Sequence, residues 1–285
     1  MTANHSIKKV ISFIKSELID FYPKNEINSF VDLIFEQLFN YSKTQLLISQ
    51  DSEMQDVPYQ NILAIIRDLK SFKPIQYILG KTVFYNLSFN LSPDVLIPRP
   101  ETEELVDWIL NEPRDTYKKI MDIGTGSGCI AISLAKNLPG SVVYACDISN
   151  DALIVTKKNC KLNNVNLQIM QLDILKADIH LDEKFDIIVS NPPYVLEKEK
   201  SIMHKNVLDY EPELALFVPN DDPLLFYRAI IDFGVNHLNK GGKIYFEVNA
   251  CYGKEMALLL EERNFHCISL KKDINGKDRM LSGIL

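Results

Sequence analysis

The chain has 285 residues, enough for one large domain together with a small one, each with its own core. A hydrophobic fraction of 46% and a charged fraction of 24% exclude disordered and fibrous classes. A net charge of −7 argues against a general nucleic-acid clamp, which needs clustered Lys and Arg, but leaves room for an acidic enzyme with a local basic patch.

The first 74 residues predict a small helical bundle. SIKKVISFIKSELIDF, NEINSFVDLIFEQLFN and PYQNILAIIRDLKSF each place apolar residues at three- and four-residue spacing. Pro23 follows the first helix, Ser42 marks the end of the second, and Pro58 starts the last. Residues 75–100 change texture. The alternation Val83, Tyr85, Leu87, Phe89, Leu91 predicts a β-hairpin linker, stiffened at its exit by Pro93, Pro98 and Pro100.

From Glu101 to Leu285 strands and helices alternate. ETEELVDWILNE is a helix, KKIMDIG a strand, GCIAISLAKNL a helix, SVVYACD a strand, DALIVTKKNCKLN a helix, and LQIMQLD and FDIIVS two further strands. After a loop come the helix PLLFYRAIIDFGVNHL, the strand GKIYFEV, the helix GKEMALLLEERN and the pair CISLKKD and RMLSGIL, joined by DINGK. Such alternation implies an α/β domain with a mostly parallel sheet covered on both faces, and the last pair predicts a closing antiparallel hairpin.

The five cysteines, Cys129, Cys146, Cys160, Cys251 and Cys267, are scattered and never spaced CxxC, which fits a reducing cytoplasm. Five single histidines give no metal-ligand spacing, so no metal is expected. No apolar run reaches about 18 residues. The first 25 residues carry Lys and Glu where a signal peptide is apolar, so neither processing nor a membrane partner is expected.

Chemistry is concentrated at two strand ends. Gly124-Thr125-Gly126-Ser127-Gly128 follows the first strand of the sheet and opens a helix, where glycines allow a sharp turn and close approach to a ligand. A dinucleotide fingerprint would read GxGxxG, but here Cys129 follows Gly128 and the pattern is GxGxG. Asp147 ends the second strand, about 20 residues on, where a carboxylate accepts ribose hydroxyls. Asp173 ends the third, placed to accept from an adenine amino group with Ile174 beside the ring. Singly, these are a tight turn and helix caps. In this order at successive strand ends they point to a bound adenosine, and with no P-loop lysine nearby, to S-adenosyl-L-methionine.

The fourth strand delivers Asn191-Pro192-Pro193-Tyr194 to the same edge. Two prolines fix φ and remove two N–H groups, so the corner presents acceptors without competing donors. The Asn191 side-chain oxygen and the Pro192 carbonyl suit both hydrogens of a planar NH2 group, and the Tyr194 ring suits its flat face. An amino group on an sp² carbon is a poor nucleophile. Accepting from both of its N–H bonds raises its electron density and aligns it, so no strong base is required.

These motifs resemble the HemK family, the peptide chain release factor N5-glutamine methyltransferases. The resemblance covers nearly the whole chain: the helical N-terminal region, the hairpin followed by LIPRPETEELV, then DIGTGSGCIAISLA, SNPPYV, YEPELALF and NGKDRML. It implies a class I S-adenosylmethionine-dependent methyltransferase fold, Rossmann-like, with a mostly parallel seven-stranded sheet and a terminal antiparallel hairpin, plus the small helical domain. It also implies class-1 release factors as protein substrate, methylated on the glutamine of their GGQ motif, with S-adenosyl-L-homocysteine as product. On it, Gly124, Thr125, Gly126, Ser127, Gly128, Asp147, Asp173, Ile174 and Asn191 contact the cofactor, and Asn191, Pro192, Pro193 and Tyr194 hold the glutamine. Family members often carry an aromatic residue where this chain has Ile174. Arg99 and Glu101 resemble a loop that closes over the cofactor, with acidic residues of the glycine loop as possible partners for Arg99. Glu211 is either part of a substrate loop or merely solvated. Other targets stay open: adenine and guanine amino-group methylases share the (N/D)PPY corner, and close relatives act on ribosomal-protein glutamine. The acidic balance and the lack of a basic recognition domain weigh against a nucleobase or a stable nucleic-acid partner. An intact glycine loop and Asn191 weigh against a non-catalytic subunit. The helical region is expected to dock the protein substrate.

Overall fold

The computed structural model describes residues 5–49, 51–54, 59–112, 119–176, 179 and 181–285. The chain divides into two compact units, Met1–Gly80 with Lys205–Tyr210, and Lys81–His204 with Glu211–Leu285.

In the first unit a two-residue bridge, β1 (His5–Ser6), leads into α1 (Ile7–Leu18), followed by α2 (Lys24–Phe39), α3 (Lys43–Ile48), the bridge partner β2 (Glu53–Met54), α4 (Tyr59–Lys70) and α5 (Ile75–Leu79). Ile7, Val10, Ile14 and Leu18 form the buried stripe of α1, meeting Ile27, Phe30, Val31, Ile34 and Phe35 of α2 and Ile62, Ile65, Ile66 and Leu69 of α4. Two short helices were not foreseen. Ser42 caps α3 instead of closing α2: its hydroxyl accepts from Gln45 N–H while the Gln45 side chain accepts from Ser42 N–H. The end of α2 falls to Asn40, whose left-handed φ of 54° closes the helix. Pro58 lies outside the described residues.

The second unit opens with the hairpin β3 (Lys81–Phe84) and β4 (Leu87–Asn90). Tyr85 and Asn86, at φ 47° and 59°, make the two-residue turn. The apolar alternation has the wrong phase before this turn: Phe84 and Phe89 are buried, and Val83 is 67% exposed. From the helix Asn150–Asn163 the side chain of Asn159 bonds both Asn90 N–H and Asn90 C=O, and Asn163 donates to Ser88 C=O, so polar side chains hold the hairpin edge.

Beyond it run α6 (Pro100–Asn111), β5 (Lys119–Ile123), α7 (Cys129–Asn137), β6 (Val142–Asp147), α8 (Asn150–Asn163), β7 (Gln168–Gln171), β8 (Phe185–Ser190), β9 (Val195–Leu196), α9 (Lys205–Leu208), β10 (Phe217–Val218), α10 (Leu225–His237), β11 (Leu238–Glu247), α11 (Gly253–Glu262), β12 (His266–Lys272) and β13 (Asp278–Ile284). Of these, α9 belongs to the first unit. β9 and β10 pair with each other. The main sheet has seven strands in the order β12-β13-β11-β8-β5-β6-β7, and among the described residues β13 alone runs opposite to the other six. The expected closing hairpin is present as β12 and β13, with Leu270 opposite Leu281.

Successive residues of the central strands face opposite sides of the sheet. Ile120, Ile187 and Tyr245 pack with α6 and α7, whereas Met121, Ile188 and Phe246 pack with α10 and α11. Burial on both faces explains why these strands read as continuous apolar runs. The chain winds from β5 through β6 to β7, then returns to place β8 on the other side of β5. Connections leave β5 and β8 in opposite directions, which opens a crevice at their carboxyl ends.

Candidate active site

The glycine loop bridges β5 and α7. Gly124, Gly126 and Gly128 have φ of 73°, 55° and 82°, a left-handed region that other residues enter only with strain. Backbone bonds fold the loop over the end of β6: Gly124 and Thr125 N–H donate to Cys146 C=O, and Gly126 N–H donates to Asp147 Oδ2 at 2.9 Å. The glycines serve different ends. Among the described residues a Cβ at Gly124 or Gly126 would meet nothing within 4 Å, so both leave open space above the backbone. A Cβ at Gly128 would lie 2.9 Å from Thr156 Cγ2, so this glycine is required by packing against α8.

Asp147 is held from both sides, Oδ2 by Gly126 and Oδ1 by Ser149 N–H at 2.9 Å. Burial pushes its carboxyl above the ordinary Asp range, against the pull of these backbone donors. Asp173 lies beyond β7 instead of ending it, and its Oδ1 accepts from Leu175 N–H at 3.1 Å. Beneath the loop is the fully buried Asp122, whose Oδ2 accepts from Thr125 Oγ1 at 2.7 Å and from Ala131 N–H at 3.2 Å. Burial drives its carboxyl up to about 7.

A cavity of about 360 Å³ occupies the crevice, within the size range of small-ligand sites. Gly124, Gly126, Asp147, Asp173, Ile174, Asn191, Pro192 and Pro193 all line it, with Ile148, Ala152, Leu175, Phe226 and Ile230 supplying apolar wall. Thr125, Ser127, Gly128 and Tyr194 do not line it. The first two are buried within the loop, and Gly128 faces α8.

At the opposite wall Asn191 enters a chain of side chains. Its Nδ2 donates to Thr102 Oγ1 at 3.2 Å, and the Thr102 hydroxyl donates to Glu247 Oε2 at 2.6 Å. Glu247 Oε1 accepts from the Tyr194 hydroxyl at 3.0 Å, and Arg279 Nη1 lies 3.4 Å from that hydroxyl. Asn249 Nδ2 donates to Tyr194 C=O, tying the corner to the segment after β11. Burial raises the Glu247 carboxyl, while the bonds from Thr102 and Tyr194 and the charge of Arg279 lower it. Burial, then the adjoining Glu247, pushes the Tyr194 phenol far above its ordinary value.

A model described as the methyltransferase small domain matches residues 102–210, and one described as the PrmC N-terminal domain matches residues 15–80. A release factor glutamine methyltransferase of Flavobacterium psychrophilum is 48% identical over 93% of this chain and 94% of its own length. Another, of Bacteroides thetaiotaomicron, is 44% identical over 97% of this chain and 99% of its own. The chain belongs to the release factor glutamine methyltransferase family. The methyltransferase fold is shared more widely: the Thermus thermophilus 16S rRNA N2 G1207 methyltransferase, in complex with AdoMet and guanosine, superposes with a TM-score of 0.52 at 19% identity, over 72% of this chain and 49% of that one. The sheet order, with its single antiparallel strand among the described residues, is that of a class I S-adenosylmethionine-dependent methyltransferase.

The cofactor of this methyltransferase is S-adenosylmethionine, and the residues present fit it. The open space above Gly124 and Gly126, a ribose-type acceptor in Asp147 and an apolar wall at Ile148 and Ile174 form a cradle for a nucleoside. Arg99 departs from expectation. Its Nη2 pairs with Glu211 Oε1 at 2.6 Å, not with the glycine loop, and Glu211 Oε2 also accepts from Ile97 N–H. Glu211 is buried, not solvated. Thr102, Glu247, Asn249 and Arg279 were missed by sequence reasoning. The available signal was position, since Glu247 and Asn249 flank the carboxyl end of a central strand, where sheets of this type place ligands.

Proposed function

We propose that this methyltransferase modifies the side-chain amide nitrogen, N5, of the glutamine in the GGQ motif of class-1 peptide chain release factors. The observation that carries this reading is that Asn191, Pro192 and Pro193 line the same cavity as Gly124, Gly126, Asp147 and Asp173. A nucleoside cradle and an amide-accepting corner therefore share one crevice. The names of the relatives supply the target.

Bound S-adenosylmethionine would supply an electrophilic methyl and leave as S-adenosyl-L-homocysteine. In this reading Asp147 accepts the ribose hydroxyls, Asp173 and Ile174 hold the adenine edge and face, and Gly124 and Gly126 let the backbone approach. Thr125, Ser127 and Gly128 act by fixing the loop, and Asn191 bounds the cofactor at the side where the glutamine enters. The Asn191 oxygen and the Pro192 carbonyl accept from the two N–H bonds of the glutamine amide, with Pro193 and Tyr194 keeping the corner rigid. Two acceptors orient the nitrogen and make it more electron-rich. The nitrogen that gains the methyl becomes positively charged and strongly acidic, and it gives one proton to water, so no strong base is needed.

Residues 1–74 are read as a docking module for the protein substrate, 75–100 as a linker, and 101–285 as the catalytic domain. Deleting the first should raise KM for intact release factor far more than the cofactor Kd, and equal losses would count against docking. The enzyme is expected to act in the cytoplasm, without a stable nucleic-acid partner. Among the described residues no helix is long and apolar enough to cross a membrane. The experiment that tests the reading is mass spectrometry of release factor and of total RNA, each incubated with the full chain and methyl-labelled cofactor. Label on the GGQ glutamine is the expected result, and label confined to RNA bases would overturn the target.

A further inference from the structure

The amide of Asn191 has two ends of nearly equal size and opposite polarity, an acceptor oxygen and a donor NH2 group. Shape alone cannot choose which end meets a ligand. The neighbours can, and here they form a directional chain. Glu247 is 1% exposed and accepts from Thr102 Oγ1 at 2.6 Å and from the Tyr194 hydroxyl at 3.0 Å. A threonine hydroxyl carries one proton. Once that proton is given to Glu247, the Thr102 oxygen has only lone pairs to offer, and its neighbour 3.2 Å away must be a donor. That neighbour is Asn191 Nδ2, so the Asn191 oxygen is turned away from Thr102. The reverse arrangement would spend the Thr102 proton on Asn191 and strip a buried carboxylate oxygen of its donor, which is costly where no water replaces it. Thr102 is itself only 2% exposed.

We propose that Glu247 and Thr102 form a polarity relay that holds the Asn191 amide with its oxygen toward the glutamine amide, making both positioning residues for methyl transfer. The inference rests on the reading that Asn191 accepts from the substrate NH2 group. A flipped Asn191 would oppose NH2 to NH2, replacing an attractive contact by a repulsive one in a confined site. The relay begins on the first turn of α6 and ends at the last residue of β11, so it also couples the stretch after the hairpin to the catalytic corner.

The test uses the full chain with Thr102→Val, which keeps the shape and removes the hydroxyl, and Thr102→Ser, which restores the hydroxyl. Thr102→Val should lower kcat for release-factor methylation about tenfold or more with the cofactor Kd unchanged, and Thr102→Ser should recover kcat to within about threefold. Independently of any substrate, exchange of the Asn191 side-chain NH2 protons with water, followed by NMR on selectively 15N-labelled protein, should be slow in the wild type and in Thr102→Ser but fast in Thr102→Val. Wild-type kcat in Thr102→Val, or a Thr102→Ser as slow as Thr102→Val, overturns the relay. So does identical NH2 exchange in the wild type and Thr102→Val. If exchange behaves as expected but the wild type places no methyl on release factor, the substrate reading fails and the relay stands.

Discussion

The two walls of the cavity are built from different materials. On the β5 and β6 side the surface is backbone: the glycine loop, shaped by three left-handed residues and by N–H groups bonded to Cys146 and Asp147. On the β8 side it is Asn191, Pro192 and Pro193, and behind Asn191 a side-chain circuit runs through Thr102 and Glu247 to Tyr194. A backbone wall is most sensitive to added atoms and to the few carboxylates that hold its N–H groups, here Asp147 and Asp122. A side-chain wall is most sensitive to the polarity of its neighbours. The division matches the two ligands proposed: the cofactor, the same at every turnover, lies against the fixed surface, and the reacting amide meets the polar one.

The largest expected effect tests the side-chain wall. Asn191→Ala removes an acceptor needed most when the amide nitrogen becomes electron-poor, so kcat should fall about a hundredfold or more, near 3 kcal/mol, with cofactor Kd within about tenfold. Wild-type turnover in this variant would remove Asn191 from the mechanism. The next effect separates two glycines of the backbone wall. Gly128→Ala places a methyl 2.9 Å from Thr156 Cγ2 and 3.0 Å from Ile132 Cδ1 at φ 82°, combining overpacking with backbone strain. A loss of about 3 kcal/mol in chemical denaturation is expected. Gly126→Ala carries the φ strain without the clash, so its stability cost should be about 1 kcal/mol. Its added methyl points into open space beside the cavity, so cofactor affinity should suffer as well. Equal stability losses for the two would contradict the packing role of Gly128.

Asp147 is the side chain on which the backbone wall depends. Asp147→Ala should weaken cofactor binding by about 2 kcal/mol in calorimetry, through lost charge-assisted hydrogen bonds. Its raised carboxyl gives a second reading: acceptor charge is lost on acidification, so cofactor affinity should begin to fall at a higher pH than an ordinary Asp would dictate. An affinity flat through the acid range would detach Asp147 from the ribose.

Much of this was legible in sequence, for local reasons. GxGxG after a strand and NPPY after another carry their geometry in their own residues, through glycine φ and proline rigidity, so the two strand-end turns that bring Gly124, Gly126, Asn191, Pro192 and Pro193 to the cavity are legible locally. The parallel sheet and its closing hairpin followed from apolar runs buried on both faces. What was illegible depends on distant partners. Thr102 and Glu247 are 145 residues apart, and each alone is an ordinary helix or strand residue. Arg99 and Glu211 likewise meet only in the fold. Short helices such as Lys43–Ile48 and Ile75–Leu79 escape because one turn or two cannot display a period. Val83 misled because alternation assigns faces only up to a turn, and Tyr85 and Asn86 reset the phase.

The smallest effect concerns the group beneath the backbone wall. Asp122 Oδ2 holds Thr125 Oγ1 and Ala131 N–H, while Oδ1 is buried without a hydrogen-bond partner among the described residues. Its carboxyl is raised from 3.8 to about 7, by burial first and by the Asp147 charge in lesser part. Between pH 6 and 8 an unfolded Asp is fully ionised, whereas the folded one retains a proton over the lower half of the window. The folded state therefore binds more protons, and stability must fall as pH rises. Integrated over that window the loss is about 1 kcal/mol. Asp122→Asn keeps an oxygen for Thr125 and Ala131, sets an uncharged NH2 where Oδ1 lay, and has no proton to lose. Denaturation at pH 6 and 8 should show the wild type losing that stability and the variant losing less by the same amount. Parallel losses in the two proteins would mean that Asp122 is not the group that titrates, and that the loop rests on an ionised carboxylate instead.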